Sequence, residues 1–239
     1  MLRLESVRKV YSKGGKGSGD AARQVEAVRG VSLEIVPGEF VSIMGPSGSG
    51  KSTLMHLLGA LDTPTEGRAI FEERDLATLT DSERSRLRRD RIGFIFQFFN
   101  LLPNLSAGEN VALPLLLAGI GRRMALARAD ECLERVGLSQ RARHLPDELS
   151  GGEMQRVAVA RALAPKPRAI LCDEPTGNLD TGNARAILDL LRQLPEPGGA
   201  SVVMVTHDQA AGARADRIVH VRDGLIDREE RQSPARSPA

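Results

Sequence analysis

The stretch from residue 45 to residue 53 constrains this chain most, because its sequence, GPSGSGKST, matches the pattern G-x-x-x-x-G-K-[ST]. In this pattern backbone N–H groups surround phosphates, the lysine neutralises the outer phosphates and the hydroxyl after it reaches Mg²⁺. The apolar run Phe40–Met44 predicts a strand before the loop, and residues 53–58 predict a helix whose positive N-terminus faces the anion. We therefore predict nucleoside triphosphate binding. The expected contacts are Gly45, Pro46, Ser47, Gly48, Ser49, Gly50, Lys51, Ser52 and Thr53.

Composition is that of a soluble globular protein, with 41% hydrophobic and 27% charged residues over 239 positions. The formal charge of +2 gives no reason to expect a nucleic-acid partner. Cys132 and Cys172 lie in apolar stretches without metal-ligand spacing, which favours buried thiols in a reducing cytosol. The longest apolar run, residues 111–120, is too short for a bilayer span, and the N-terminus lacks a signal-peptide pattern. We expect a cytoplasmic protein that reaches a membrane only through a partner.

Strands alternate with helices along most of the chain, which predicts an α/β fold with a mainly parallel sheet. Residues 98–150 are interpreted as a mostly helical subdomain inserted into the nucleotide-binding core, and the whole domain is expected to cover residues 1–227. The glycine- and lysine-rich residues 12–22 are expected to form a mobile loop. Residues 228–239, charged and proline-rich, are expected to be a disordered tail.

Polar residues follow several predicted strands, and parallel sheets bind ligands at that edge. Asp173 is placed to hold Mg²⁺, and Glu174 to orient and polarise the attacking water. His207 is placed to contact the γ-phosphate and to link it to Glu174. Two simpler interpretations remain open: the two acids cap the next turn, and the histidine is an ordinary surface residue.

Ser150 and Glu153 have the spacing of a capping box, which needs no role beyond starting a helix. The two glycines between them, Gly151 and Gly152, lower helix stability but allow the backbone to approach a ligand closely. A helix N-terminus with small residues is also a phosphate site. We expect both capping and phosphate binding here.

Residues 149–163, LSGGEMQRVAVARAL, lie between the phosphate loop and the sequence ILCDEP. This stretch, called the signature stretch below, resembles that of ATP-binding cassette (ABC) ATPases, and the resemblance covers about residues 1–227. It implies a P-loop NTPase core with a small antiparallel β subdomain and an inserted helical subdomain. Two copies would stack head to tail around two ATP molecules, so that Ser150, Gly151 and Gly152 of one copy serve the ATP of the other.

The resemblance also implies roles for four further residues. Gln97 would sense Mg²⁺ and the attacking water, Asp180 would lie in a loop that crosses the dimer, and His207 would act as the switch histidine. Tyr11 would stack on adenine; the alternative is a tyrosine buried in the core. The last position of the motif is Glu153 where Gln is commoner, which removes no catalytic group, so an active ATPase with ATP and Mg²⁺ is expected. Its predicted catalytic residues are Glu174, His207, Gln97 and Lys51, and its predicted metal-binding residues are Ser52, Gln97 and Asp173.

Three stretches, HLLGALDTPTEG, FQFFNLLPNLSAGENVALPL and DEPTGNLD, resemble the lipoprotein-releasing and macrolide-export group of ABC ATPases. The implied partner is an integral membrane permease, which would hold the chain at the cytoplasmic face of the inner membrane. Strand alternation points Phe94 and Phe96 to one face, which we expect to be the core. Phe98 and Phe99 follow the strand, and with neighbouring leucines they form either a groove for a partner helix or subdomain core.

Two other functions are considered. A soluble ABC ATPase of DNA repair or translation would carry long coiled-coil insertions or a second cassette, and the sequence has neither. A regulatory ABC ATPase of cell division would transmit a conformational signal without transport, and the sequence separates it poorly from a transporter subunit.

Overall fold

The computed structural model describes residues 1–13, 23–195 and 199–232. Its centre is a six-stranded sheet in the order β10-β9-β3-β8-β7-β6. All neighbouring strands are parallel except the pair of β9 and β10 at one edge. The strands are β3 (Phe40–Met44), β6 (Ile92–Phe96), β7 (Ala169–Asp173), β8 (Ser201–Thr206), β9 (Arg217–Arg222) and β10 (Leu225–Arg231).

The central strands β3 and β8 are buried along their whole length. Continuous apolar runs are typical of parallel strands because helices or a second sheet cover both faces. Successive residues of β7 face opposite sides, so Ile170 and Cys172 join one core while Ala169 and Leu171 join the other.

A second, four-stranded antiparallel sheet lies against one face, in the order β2-β1-β4-β5. Its strands are β1 (Leu2–Lys13), β2 (Arg23–Ile35), β4 (Glu66–Phe71) and β5 (Arg74–Asp75). Apolar residues from this sheet, such as Leu4, Ile35 and Phe71, share one core with the large sheet. The predicted α/β fold, with a mainly parallel sheet and a small antiparallel one, is confirmed.

Seven α-helices are present in the described ranges: α1 (Lys51–Leu58), α2 (Asp81–Arg91), α3 (Ala107–Leu117), α4 (Arg122–Arg135), α5 (Gly151–Leu163), α6 (Thr181–Arg192) and α7 (Gln209–Gly212). Helix α1 packs in the core shared with the small sheet, whereas α3 to α7 contribute to the core on the opposite face. None of the helices in these ranges is both long and apolar enough to cross a bilayer.

Helices α3 and α4 lie in the range interpreted as an inserted helical subdomain. The turn between them contains Gly119 at φ 82°, a conformation that favours glycine and ends α3. Both helices pack against α5, so the helical bundle also includes the signature stretch.

The predicted disordered tail is wrong at its beginning. Residues 228–231 continue β10 and pair with β9, with Arg228 opposite His220 and Glu230 opposite Ile218. Charge alone does not prevent pairing, because an edge strand exposes its side chains while its backbone completes the ladder. The hairpin turn between the strands contains Asp223 and Gly224, both at positive φ. Residues 233–239 lie outside the described residues.

The predicted mobile loop, residues 12–22, begins inside β1, because Ser12 pairs with Gln24. Residues 14–22 lie outside the described residues. Phe94 and Phe96 share one face as predicted, with parallel rings 5.8 Å apart. The core assignment holds in part: both side chains are half-buried on the edge strand β6, and Phe94 packs against the core shared with the small sheet, whereas Phe96 does not belong to either core.

Both cysteines are buried and unbridged, as predicted. Burial raises the pKa of the Cys132 thiol and of the Cys172 thiol. Neither thiol is therefore disposed to react at neutral pH.

Candidate active site

The phosphate loop connects the buried strand β3 to helix α1, and its glycines are required by close contacts. A side chain at Gly45 would lie 2.0 Å from the carbonyl oxygen of Val221, and one at Gly50 would lie 2.4 Å from that of Ala27. Gly48 adopts φ 77°, where other residues are strained. The loop is thereby pressed against the sheet with its backbone exposed on the outer side.

The side chain of Lys51 packs against the inside of this loop. It is buried, and Nζ donates to the carbonyl oxygens of Gly45 and Pro46, each at 2.8 Å. The ammonium group therefore lies where the outer phosphates of a nucleotide would be neutralised. Ser49 Oγ is buried with no hydrogen-bond partner among the described residues, so a phosphate oxygen would satisfy it.

The N-terminus of α1 carries no competing side chain. Gly50 is its N-cap, no side-chain cap is present, and the first turn contains no acidic residue. The N–H groups and the positive end of the helix dipole are therefore available to an anion.

A cavity of about 620 Å³ opens beside the loop. The cavity is lined by the loop, by the ends of β7 and β8, and by the residue after β8. The lining residues are Ala27, Ser47, Gly48, Gly50, Lys51, Ser52, Thr53, Asp173, Glu174, Val205 and His207. Asp173, Glu174 and His207, which the sequence predicted at this sheet edge, thus line one cavity with the phosphate loop.

Asp173 ends β7 and is half-buried. Burial raises the pKa of its carboxyl group, and the adjacent Glu174 acts in the same direction, while His56 and Lys51 oppose both. Burial makes the ionised form of this carboxylate less stable, and a bound cation would stabilise it. Such an environment is expected of a Mg²⁺ ligand.

Glu174 has an unusual backbone, with φ 47°, and it is fixed by three consecutive residues of the next strand and loop. Its N–H donates to the Val205 carbonyl oxygen at 2.9 Å. Thr206 Oγ1 donates to Glu174 Oε2 at 3.2 Å, and His207 Nδ1 lies 2.8 Å from Glu174 Oε1. The alternative that Glu174 merely caps a turn does not account for these side-chain contacts.

His207 is the exposed member of this pair, with a side-chain accessibility of 74% against 20% for Glu174. Its Nδ1 contacts the carboxylate, so the other ring nitrogen is free to meet a ligand in the cavity. Thr206 was missed by the sequence analysis. It is buried inside a strand, where a hydroxyl carries no signal of its own.

Gln97 lies at the end of β6 but does not line this cavity. Its Nε2 donates to Asn178 Oδ1 at 3.1 Å, and Asn178 Nδ2 donates back to the Gln97 carbonyl oxygen at 3.2 Å. Gln155, also missed from sequence, is fully buried on α5 and donates to the Pro175 carbonyl oxygen at 2.6 Å. Helix α5 is thus tied directly to the turn that follows Glu174.

Ser150 caps α5 as predicted. Its hydroxyl accepts from the Glu153 N–H at 3.3 Å, and the Glu153 carboxylate accepts from Ser150 N at 2.9 Å. A side chain at Gly152 would lie 2.1 Å from Asn183 Oδ1, so packing against α6 requires this glycine without any ligand. Asp180 caps α6 by accepting from Asn183 N at 2.9 Å. None of Ser150, Gly151, Gly152 and Asp180 lines the cavity of its own chain.

Tyr11 is partly exposed, at 36%, which excludes the alternative of a core tyrosine. Its hydroxyl donates to Asp62 Oδ2 at 2.9 Å, and Lys9 Nζ lies 5.0 Å from its ring centre. Burial and Asp62 raise the pKa of Tyr11, whereas a contact with the hydroxyl of Thr53 lowers it. Tyr11 does not line the cavity described above.

The residues present fit Mg²⁺ and a triphosphate together. Ser52 and Asp173 supply a hydroxyl and a carboxylate to one cavity. The described residues contain no group of three His, Cys, Asp or Glu side chains that would hold a metal alone. Mg²⁺ commonly takes one or two protein ligands and completes its shell with phosphates and water.

Comparison with known proteins identifies the family. Residues 28–177 match the model of the ABC transporter family. The lipoprotein-releasing system ATP-binding protein LolD of Shewanella denitrificans is 44% identical over 230 residues, which are 96% of each chain. The macrolide export ATP-binding/permease protein MacB of Bdellovibrio bacteriovorus is 45% identical over 97% of this chain, which spans only 34% of that protein.

A solved structure is equally similar. It is described as a dimeric post-hydrolysis state of the ATP-binding cassette MJ0796 bound to ADP and Pi. It has a TM-score of 0.86 and 45% identity, with 98% of this chain and 99% of that chain covered. The phosphate loop, the Glu174–His207 pair and these similarities agree, and the chain therefore belongs to the ABC transporter family as an ATP-hydrolysing cassette.

Proposed function

We propose that this chain hydrolyses Mg-ATP at a site shared by two head-to-tail copies and thereby drives a membrane permease. The contact of 2.8 Å between Glu174 and His207, in one cavity with the phosphate loop, carries the proposal. A carboxylate beside a triphosphate site, exposed to the cavity and fixed by its neighbours, can accept a proton from an attacking water.

In this mechanism the loop N–H groups and Lys51 bind the β- and γ-phosphates, and the N-terminus of α1 adds its dipole. Glu174 orients and polarises the water, while His207 holds the carboxylate with Nδ1 and meets the γ-phosphate with its other nitrogen. Ser52, Asp173 and Gln97 would hold Mg²⁺, which would offset the charge that develops on the phosphates. Gln97 does not line the cavity in this structure, so its side chain would have to move toward the phosphates. Tyr11 would stack on the base.

The second half of the site would come from the other copy. Ser150, Gly151 and Gly152 present a small-residue helix N-terminus that their own cavity does not use. The relative bound to ADP and Pi is dimeric. Ser150 to Gly152 would close on the ATP of the opposite copy, with Asp180 in the loop between the two sites.

A mixing experiment tests this arrangement. Ser150→Asp retains a good N-cap but places a charge against the phosphates, and Lys51→Ala removes the phosphate cation. Each variant alone should lack ATPase activity, whereas a mixture should regain it, because a mixed dimer contains one complete site. A mixture as inactive as its components would refute the shared site.

The permease would dock beside the segment from Phe98 to Leu102. Phe98 is 72% exposed and Leu102 is 46% exposed. A groove of about 310 Å³ lies next to them, lined in part by Phe94, Phe96 and Pro114. Exposed apolar residues at a groove are typical of a helix-docking surface. Leu101 packs into the core and Phe99 is half-buried, so docking involves only part of the predicted cluster.

The transported substrate is proposed from the relatives. LolD is named for lipoprotein release and MacB for macrolide export, and this chain is 44–45% identical to both. We propose lipoprotein release or macrolide or peptide export, with the chain at the cytoplasmic face of the inner membrane. The alternative, a cell-division regulator, predicts co-purification with a division protein and no transport.

A further inference from the structure

Three helices within the described ranges begin with the same capping box, and in each an arginine pairs with the capping glutamate. The pairs are Arg74 with Glu83 on α2 at 3.4 Å, Arg122 with Glu109 on α3 at 2.9 Å, and Arg141 with Glu153 on α5 at 3.1 Å. Capping boxes stabilise helices wherever they occur. Only the third lies at a helix start that the proposed function assigns to a nucleotide.

At the start of α5, a series of hydrogen bonds links Arg141, in the preceding loop, to Glu153 and Ser150. Glu153 Oε2 accepts from Ser150 N at 2.9 Å and from Ser150 Oγ at 2.8 Å, while Oε1 accepts from Arg141 Nε. Arg141 Nη1 lies 3.1 Å from His144 Nε2, which must be the acceptor because a guanidinium only donates. Arg141 therefore lies between two acceptors, His144 Nε2 and Glu153 Oε1.

A carboxylate at the start of α5 has opposite effects on helix stability and on the binding of a triphosphate. In the first turn of α5 it is stabilised by the helix dipole. The same charge repels a triphosphate that approaches Ser150, Gly151 and Gly152 from a second copy. A neutral glutamine at position 153 would not have this effect. A glutamate here therefore needs a cation beside it.

We propose that Arg141 is a positioning residue for ATP recognition between copies, because it neutralises Glu153 and fixes the position of its carboxylate. The inference rests on the proposed shared site. Arg141 acts through Glu153 and touches neither the phosphates nor the water.

Protonation does not remove the charge of Glu153 at neutral pH. Hydrogen bonds from Ser150 lower the pKa of this carboxyl group, and Arg141 adds to the effect. The side chain of Glu153 is only 18% exposed, so solvent screens it less than a free surface carboxylate. Neutralisation must therefore come from a fixed neighbour.

The test measures the Mg-ATP concentration that gives half-maximal dimer, by light scattering, in a Glu174→Gln background that does not turn over. Arg141→Ala should raise this concentration about fivefold, in line with the loss of one ion pair beside a charged ligand. Arg122→Ala is the matched control, because it breaks the same kind of capping pair on α3; it should change the concentration less than about twofold.

A double-mutant cycle tests whether Arg141 acts through Glu153. In a Glu153→Gln background, Arg141→Ala should have almost no effect, because no charge remains to be neutralised. An equal effect in both backgrounds would overturn the role through Glu153. Equal shifts from Arg141→Ala and Arg122→Ala would mean that both pairs only stabilise helices.

A further measurement separates damage to the fold from loss of recognition. Binding of a fluorescent ATP analogue to the phosphate loop at protein concentrations too low for dimers should be unchanged by Arg141→Ala. Weaker binding there would overturn the inference. The Glu174→Gln parent could bind nucleotide at its phosphate loop and yet form no dimer with Mg-ATP. That result would refute the proposed shared site, and the inference about Arg141 with it.

Discussion

Glu174 has a backbone conformation that costs free energy and contacts that offset this cost. A non-glycine residue near φ 47° is less stable by about 1 kcal/mol. Val205, Thr206 and His207 supply three contacts to its backbone and carboxylate. The position of the carboxylate is therefore set by the neighbouring strand β8 and the residue after it, as well as by the turn in which Glu174 lies.

Thr206 should consequently act on catalysis through Glu174. Thr206→Val keeps the shape of a buried side chain and removes the hydroxyl that donates to Glu174 and accepts from Asp208 N. We expect kcat to fall about threefold to tenfold with little change in the KM for ATP, since one hydrogen bond to a charged group is lost. Steady-state ATPase assays check this. A larger change in KM than in kcat would contradict it.

The sequence located residues of one cavity where polar side chains follow the end of a strand, whereas their catalytic roles stay predictions. Asp173, Glu174 and His207 meet because parallel strands end at one edge. Thr206 and Gln155 could not be found in this way, because they are buried polar residues inside a strand and a helix, and their partners are distant in sequence. The Asn178 partner of Gln97 was likewise not predicted, because it lies 81 positions away in the sequence.

Among the helices, the capping box that the sequence predicted at Ser150 and Glu153 lies where α5 starts. The structure adds the same motif at the starts of α2 and α3. The end of β10 could not be predicted, because its charged residues, from Arg228 onward, become a strand only by pairing with β9. Tertiary pairing overrides composition at such an edge.

The capping glutamates should make stability depend on pH. Hydrogen bonds from the N-cap residue lower the pKa values of Glu83, Glu109 and Glu153. Folded pKa values below the unfolded value, about 4.3, give stability that is present above that value and lost as the pH falls through the folded pKa values. The melting temperature should therefore drop between about pH 5 and pH 3.

Replacing these three glutamates with glutamine should flatten that drop. The control is a triple glutamine variant at exposed glutamates that cap no helix, Glu34, Glu73 and Glu134. It should keep the pH dependence of the parent. Equal flattening by both triple variants would mean that general charge repulsion, rather than capping, sets the acid sensitivity.

The segment after β6 should matter for partner binding more than for hydrolysis. Phe98 and Leu102 are exposed, whereas the carbonyl oxygens of Phe99 and Asn100 are held by Arg161 at 2.7 Å and 2.5 Å. Phe98→Ser with Leu102→Ser should reduce co-purification with the permease at least about fivefold and leave basal ATPase activity near the parent value. Leu225→Ser is the control, because Leu225 is 46% exposed, as Leu102 is, but lies on β10. Unchanged permease binding would refute the docking surface.

For the whole molecule, the structure divides the proposed chemistry between two surfaces. One chain holds the phosphate loop and the Glu174–His207 pair in a cavity, while Ser150 to Gly152 lie outside that cavity. In the proposed shared site, a second copy would bring both to one ATP. Opening and closing of this pair is the motion that could be transmitted through the segment at Phe98 to a permease.

The most direct test is the mass of Glu174→Gln in solution, measured by light scattering with and without Mg-ATP. Because the variant binds ATP but cannot activate water, we predict an ATP-dependent change from 25.8 kDa to twice that mass. Lys51→Ala should remain at the mass of one chain under the same conditions. A Glu174→Gln protein that binds Mg-ATP and stays at 25.8 kDa would contradict the shared ATP site.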